Sequence, residues 1–152
     1  MVKIKTITME PIGYIKSPYK EKKEIPFQSA LGEKNKGKIV LEEKYIKALK
    51  DLDTFSHIVV FFYFDKSKGY DLQTKTPWDK DEKGIFATRS PNRPNFIGMS
   101  IVKIIDIQYN IITIEGLDML DNIPVLDIKP YIERLNPKEA NEGWFEYSFE
   151  QK

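Results

Sequence analysis

Two of the chain's three arginines, Arg89 and Arg93, fall within five residues, in a protein that otherwise carries its positive charge on 21 lysines. They lie in the segment Gly84 to Ser100, GIFATRSPNRPNFIGMS. A guanidinium offers a planar, multi-donor fork that an ammonium lacks, so arginine here points to anion binding or to the pinning of backbone carbonyls. Both readings stand on the residues alone. Pro91 and Pro94 stiffen the stretch between them, and Asn92 and Asn95 can hold turns through side-chain hydrogen bonds. A second segment, Gly116 to Tyr131, carries Asp118, Asp121 and Asp127. Three carboxylates could mark a cation site, but hard-metal loops show tighter alternation and a flexible glycine, so these read as turn and cap aspartates. A third stretch, IGYIKSPY over 12–19 followed by Pro26-Phe27-Gln28, says only strand, turn and loop. His57, after Phe55-Ser56, sits at a corner entering an apolar run and reads as structural.

Composition narrows the chemistry. There is no cysteine, which removes disulfides, thiolate metal sites and a cysteine nucleophile. One histidine leaves a multi-histidine metal site or a Ser-His-Asp triad little to work with. Lys plus Arg number 24 and Asp plus Glu 23, so net charge makes no argument for a polyanion; a binding face would have to come from local clustering. The N-terminus shows no signal peptide. The longest apolar run, His57–Phe64, falls far short of the roughly 20 residues of a membrane span. A cytoplasmic protein without membrane partner or metal is expected.

These residues need elements to hold them. At 152 residues the chain is expected to be one domain. Thr6–Ser17 alternates as a strand, limited by Pro11 to an edge or a broken strand. Lys20–Lys38 reads as a loop and Lys38–Leu41 as a short strand. Glu42–Leu52 places Tyr45, Ile46, Leu49 and Leu52 on one helical face. Ile58–Phe64 reads as a fully buried strand. Asp65–Lys83 lacks periodicity, and a structureless stretch of that length is a functional or mobile loop. Gly84–Thr88 reads as a strand, Arg89–Gly98 as irregular, and Ser100–Gln108 with Ile111–Glu115 as a hairpin turning at Tyr109-Asn110. Val125–Ile128 is a further strand. The alternation of Phe145, Tyr147 and Phe149 predicts a last one. Many short strands with one helix predict a mainly β, barrel-like domain with long loops. No glycine pair is spaced G-x-G, so neither a dinucleotide-binding turn nor a P-loop is present.

Taken in order, the motifs resemble the TsaA-like (TrmO) family over roughly residues 7–131. The shared pattern is I-G-x-I-x-S-P-Y, then P-x-Q, F-S-H, the long arginine loop, and L-D-x-x-D ahead of P-V-x-D-I-K-P-Y. The resemblance implies a single β-barrel-like (YaeB-like) domain that binds S-adenosylmethionine outside the Rossmann class. It further implies a homodimer with the cofactor near the subunit interface, and N6-methylation of N6-threonylcarbamoyladenosine beside the anticodon of tRNA. By motif matching, cofactor contacts are expected from Pro26, Phe27, Gln28, Phe64, Asp65, Arg89, Met99, Leu117, Asp118, Met119, Leu120 and Asp121. Four departures stand out. Phe27 replaces a common arginine, Phe96 replaces proline, and Asn122-Ile123 replaces Gly-Thr. The tail 132–152 is also expected to add no further C-terminal domain of the kind that bacterial relatives carry.

Methyl transfer from a sulfonium to a delocalised amine needs positioning and a proton acceptor. Asp118 and Asp121 are therefore the catalytic candidates, each also suited to a cofactor amine or ribose. Arg93 and Asn95 are candidates for the substrate. The lysine-rich stretches Lys20–Lys38 and Asp65–Lys83, with Trp78 or Tyr70 for stacking, are the expected RNA contacts. Two other functions stay open: a methyltransferase acting on a small molecule or another RNA, and a non-catalytic S-adenosylmethionine-binding module.

Overall fold

A computed structural model describes residues 1–25 and 35–150, with the side chains of residues 149 and 150 excepted. Eight strands and one α-helix form: β1 (Gly13–Lys16), β2 (Lys36–Leu41), β3 (His57–Tyr63), β4 (Gln73–Thr76), β5 (Asp79–Gly84), β6 (Ile97–Gln108), β7 (Ile111–Glu115), β8 (Pro124–Pro130) and α1 (Trp144–Glu150). Six of them close a barrel in the order β1-β2-β7-β6-β3-β8, while β4 and β5 make a separate two-stranded sheet. The chain divides into two compact units, Met1–Tyr63 with Met99–Tyr131, and Phe64–Gly98 with Ile132–Lys152.

In the first unit, period-two alternation sends one face of each strand inward. Ile15, Ile39, Ile58, Val60, Val102, Ile112, Ile114 and Val125 are fully buried. The expected mainly β barrel is therefore present. The run Ile58–Phe64, expected to be a fully buried strand, forms β3 at His57–Tyr63 and buries only Ile58, Val60 and Phe62. It belongs to a closed barrel whose outer face stays open, not to a sheet covered on both sides. The β6–β7 hairpin turns at Tyr109-Asn110 as expected, with Tyr109 left-handed at φ 58°. A bulge between Ile104 and Asp106 shifts its register. Gly37 lets β2 pass close to its neighbours: a Cβ there would lie 2.6 Å from Leu117 Cδ2 and 2.7 Å from the Lys16 carbonyl.

Two expectations in this unit are corrected. Residues 6–12 form no strand, and β1 begins only at Gly13. Pro11 removes a ladder donor, and although Ile12 bonds to Val125 and Glu42, residues 6–9 make no hydrogen bond with a described residue. The helix expected over Glu42–Leu52 is instead a 3-10 helix at Glu43–Leu49, followed by a left-handed Asp51 at φ 68° and a second 3-10 turn at Leu52–Thr54. Its apolar side chains are only half-buried. At about 2.0 Å per residue, a 3-10 helix spans more of the gap from β2 to β3 than an α-helix of the same length.

The second unit corrects three more. Asp65–Lys83, expected to be structureless, contains the β4–β5 hairpin. Gly84–Thr88 is a 3-10 turn at Ile85–Ala87, anchored by buried Ile85, whose N–H donates to the Leu72 carbonyl. The tail is a helix, not a strand. Trp144, Phe145 and Ser148 share the face it turns to the hairpin: the Trp144 indole donates to the Ala87 carbonyl at 2.8 Å, Phe145 meets Trp78 edge-on at 5.2 Å, and the Ser148 hydroxyl donates to Asp79 at 3.1 Å. Lys83 pairs with Asp79 and lies over the Trp144 ring. An isolated hairpin is marginal in water, so this backing is what stabilises it.

Candidate functional site

In the barrel unit, the aspartate segment is laced to the stretch after β1. The Asp121 N–H donates to the Tyr19 carbonyl at 2.8 Å and the Asn122 N–H to the Ile15 carbonyl at 2.7 Å. Asp121 returns the tie with its side chain, which is buried: Oδ1 accepts the Ser17 N–H at 2.9 Å and Oδ2 accepts the Lys20 ammonium at 2.5 Å. The Lys20 hydrogen bond first, then that from Ser17, hold its carboxyl below the usual range. A carboxylate with both oxygens engaged and a lowered pKa is suited to fastening the segment rather than to taking a proton.

The same segment alternates in burial. Leu117 and Met119 are core side chains, 0% and 1% exposed, so only their backbone is available to a ligand. Asp118 and Leu120 are half-buried. Asp118 Oδ1 accepts the Ser100 hydroxyl at 2.6 Å. Ser100 is itself buried at an inward position of β6, and its neighbour Met99 points out, 41% exposed. Asp118 and Ser100 thus come together, with Met99 next along the strand.

In the second unit, the arginine loop packs against the turn that follows β3. The Phe64 N–H donates to the Phe96 carbonyl at 2.8 Å, the Ser67 hydroxyl to Pro91 at 3.4 Å and the Asp71 N–H to Asn92 at 3.4 Å. Phe64 and Asp65 are thereby brought to the same loop as Arg89, Arg93 and Asn95. The two arginines divide the alternatives left open by residue type. Arg93 Nη1 donates to the carbonyls of Thr88 at 2.7 Å and Ser90 at 3.4 Å, pinning the loop from within. Arg89 is exposed and makes no hydrogen bond or ion pair with any described residue. Asn95 and Phe96 are both left-handed, at φ 66° and 51°. That conformation costs a bulky residue such as Phe96 of order 1–3 kcal/mol and marks a loop held by its surroundings.

Pro26, Phe27 and Gln28 lie outside the described residues. His57 is a corner residue: its Nδ1 meets the Ser56 hydroxyl at 2.7 Å and its ring lies edge-on to Tyr131. Asp127, expected in a turn or cap, lies within β8 opposite Phe61, its carboxylate accepting the Ile128 N–H at 2.9 Å and pairing with Lys129. Among the described residues no group of three or more His, Cys, Asp or Glu side chains is placed to hold a metal. Nor is any helix long and apolar enough to cross a membrane. Sequence reasoning passed over Ser17, Lys20 and Ser100. Ser100 had a signal, being a hydroxyl at an inward position of the alternating stretch Gly98–Val102. Lys20 had none.

Comparison with known proteins adds to this geometry. Residues 14–136 match the model of the tRNA-methyltransferase O N-terminal domain. A probable S-adenosyl-L-methionine-binding protein of Pyrococcus abyssi is 38% identical over 92% of this chain and 77% of its own length. The mouse tRNA (adenine(37)-N6)-methyltransferase is 35% identical over 81% of this chain, which spans 30% of that enzyme. The crystal structure of TrmO from Pseudomonas aeruginosa superposes with a TM-score of 0.78 at 34% identity, over 92% of this chain and 63% of that one.

Proposed function

Because the chain belongs to the tRNA-methyltransferase O N-terminal domain family, we propose that it is an S-adenosylmethionine-dependent tRNA methyltransferase, acting on N6 of N6-threonylcarbamoyladenosine beside the anticodon. The observation that carries the reading is the Arg89 guanidinium, unengaged among the described residues, on a loop that Arg93 braces from inside. A rigid loop presenting one unsatisfied cation is a prepared anion contact.

The donor groups fit the cofactor's chemistry. Arg89 suits its carboxylate, Asp118 its amine or ribose hydroxyls, and the exposed thioether of Met99 its apolar surface. Phe64 and Asp65 are assigned with Arg89, the backbone of Leu117 to Asp121 with Asp118, and Pro26, Phe27 and Gln28 from sequence alone. When bound, S-adenosylmethionine supplies a methyl group already activated by its sulfonium charge. The chain's own task is then orientation, which can contribute on the order of 7–11 kcal/mol. Asp118 is the better placed of the two aspartates to accept a proton, because Asp121 is committed to Lys20 and Ser17. Ser100 orients the Asp118 carboxylate. Asn95 remains the substrate contact, while Arg93 shapes the loop that presents it.

A second copy of the chain is proposed to cover the outer face of β6, where Met99, Ile101 and Ile105 are 41%, 42% and 41% exposed. A row of large apolar side chains on the outside of a barrel is what a protein interface uses. Exposed lysines 66, 68, 75 and 80 and Tyr70 are the proposed RNA contacts, and the cytoplasm is the proposed location on the strength of the proposed tRNA substrate.

The Pyrococcus relative's name favours a second reading, an S-adenosylmethionine-binding module without tRNA activity. Calorimetry with S-adenosylmethionine, followed by mass spectrometry of tRNA nucleosides incubated with cofactor and protein, separates the two. Binding with a methylated threonylcarbamoyladenosine supports the enzyme. Binding with unchanged nucleosides sinks it in favour of the module, and no binding at millimolar cofactor sinks both.

A further inference from the structure

The first nine residues of the barrel unit have a strand-forming composition yet pair with no described residue. Five of the seven residues Val2–Thr8 are β-branched: Val2, Ile4, Thr6, Ile7 and Thr8. Such residues favour strands. Yet Val2, Ile4 and Ile7 are 85%, 92% and 82% exposed, and residues 1–9 make no hydrogen bond or ion pair with a described residue. Lys3, Lys5 and the terminal amine make this arm basic, with Glu10 its one acid. Glu10 is engaged by Lys44.

The same unit holds a surface complementary to it in three respects. The first is shape: an open cleft of about 500 Å³, polar over most of its surface, also offers the side chains of Leu49, Phe55, Ile105 and Ile107. The second is electrostatic. Asp51, Asp53 and Asp106 rim that cleft against one lysine, Lys50, and none of the three carboxylates has an ion-pair partner among the described residues. The third is backbone. β3 begins at His57 and the Ile104 N–H donates to the Ser56 carbonyl, so beyond Ile104 strand β6 outruns its neighbour on that side. The chain there is the 3-10 turn Leu52–Thr54, leaving residues 105–108 an open strand edge beside the cleft. An extended segment adds to such an edge through main-chain hydrogen bonds, with alternate side chains entering the flanking hollow.

We propose that the arm Met1–Met9 of a second copy of this chain docks as an added strand on the β6 edge of the first, its lysines against Asp51, Asp53 and Asp106 and its apolar side chains in the cleft, and reciprocally. This deepens the dimer proposed above and rests on it. The arm's own cleft is empty in the protomer while both surfaces stay exposed, and Ile105 continues the apolar row of Met99 and Ile101 that the second copy is proposed to cover. Reciprocal exchange closes both edges at once, as an isologous interface requires.

A charge swap on the full chain tests this by sedimentation velocity. Lys3→Glu with Lys5→Glu, and separately Asp53→Lys with Asp106→Lys, are each expected to weaken self-association about tenfold or more. Mixing the two variants is expected to restore it to about the wild-type level, because every arm then meets an oppositely charged cleft on its partner. Circular dichroism of each variant checks that the barrel is intact. Failure of the mixture to recover would mean that the arm seats on its own chain, and would overturn the proposal. Unchanged association in both variants overturns it too while leaving the dimer standing. A wild-type chain that is monomeric at all concentrations removes the dimer with it. A cysteine-free chain allows an independent check. Thr6→Cys protein mixed with Asp53→Cys protein is expected to form a disulfide-linked pair at least about tenfold faster than Thr6→Cys mixed with Glu43→Cys, the gain in rate coming from effective concentration. Equal rates refute the docking.

Discussion

Removing the Asp121 carboxylate has two separable consequences. In Asp121→Ala the Ser17 N–H, on a residue 8% exposed, loses its acceptor. A buried donor left unpaired costs about 1–3 kcal/mol. The partner ion pair adds about 0–1 kcal/mol, because Lys20 is 66% exposed and easily resolvated. The sum is about 1–4 kcal/mol, and at about 2–4 °C per kcal/mol for a chain of this size the melting temperature falls by about 2–16 °C. Asp121→Asn keeps an oxygen for Ser17 and loses only the charge, so about 1 kcal/mol is expected at pH 7. The pH dependence carries the sign. The folded pKa of Asp121 is lowered, chiefly by the Lys20 hydrogen bond and then by that from Ser17. Its charge therefore contributes stability that is fully present above the unfolded pKa of about 3.9 and is lost as pH falls through the folded value. The gap between wild type and Asp121→Asn, followed by thermal circular dichroism from pH 7 downward, should persist to about pH 4 and narrow below it. An Asn variant as damaging as the Ala variant would refute the division between Ser17 and Lys20. A gap unchanged at pH 2 would refute the charge as its origin.

The two arginines should separate in opposite senses. Arg89→Ala is expected to melt within about 1–2 °C of wild type, as an exposed unpaired side chain should, while calorimetry shows S-adenosylmethionine affinity reduced about tenfold or more through loss of a charged contact. Arg93→Ala gives up the bonds to Thr88 and Ser90 and should lose about 1–2 kcal/mol in urea unfolding; a stable Arg93→Ala with an unstable Arg89→Ala would reverse the assignment. Gly37→Ala places a Cβ 2.6 Å from Leu117 Cδ2 and 2.7 Å from the Lys16 carbonyl. The crowding should cost about 1–3 kcal/mol in the urea midpoint, and an unchanged midpoint would show that β2 can shift freely.

What could be read from the sequence depended on how far away each residue's partner lies. The β6–β7 hairpin was legible because its turn, alternation and pairing all fall within Ile97–Glu115. β4–β5 was not, although it is just as local. Gln73–Thr76 and Asp79–Gly84 show no apolar alternation, because the side chains that back them are Trp144, Phe145 and Ser148, some 60 residues on. The tail was misread for the converse reason. Phe145, Tyr147 and Phe149 alternate by two, but the contacts that decide are made at Trp144 and Ser148, one helical turn apart, and tertiary packing overrode the pattern. The strand expected before Gly13 differs from both. Its residues are rich in β-branched types, but among the described residues no strand pairs with Val2–Thr8, and composition alone does not make a strand.

The functional residues follow the same logic at finer scale. Residue type identified the arginine loop, since a guanidinium pair in a lysine-rich chain needs a reason. It could not tell a guanidinium facing solvent from one turned back on its own loop. That distinction rests on the carbonyls of Thr88 and Ser90 converging on Arg93 Nη1 and on nothing meeting Arg89 among the described residues. The aspartates divide in the same way. Asp118 and Asp121 are equivalent in spacing, yet Asp118 accepts the buried Ser100 hydroxyl while Asp121 is locked by a backbone amide and an ammonium. A base must be able to change its charge at moderate cost, and a latch must resist doing so. The depressed pKa of Asp121 therefore counts against it as the proton acceptor and for it as the residue that keeps Asp118 in place. Within one short acidic segment, Asp121 does the fastening, and the proposed proton transfer therefore falls to Asp118.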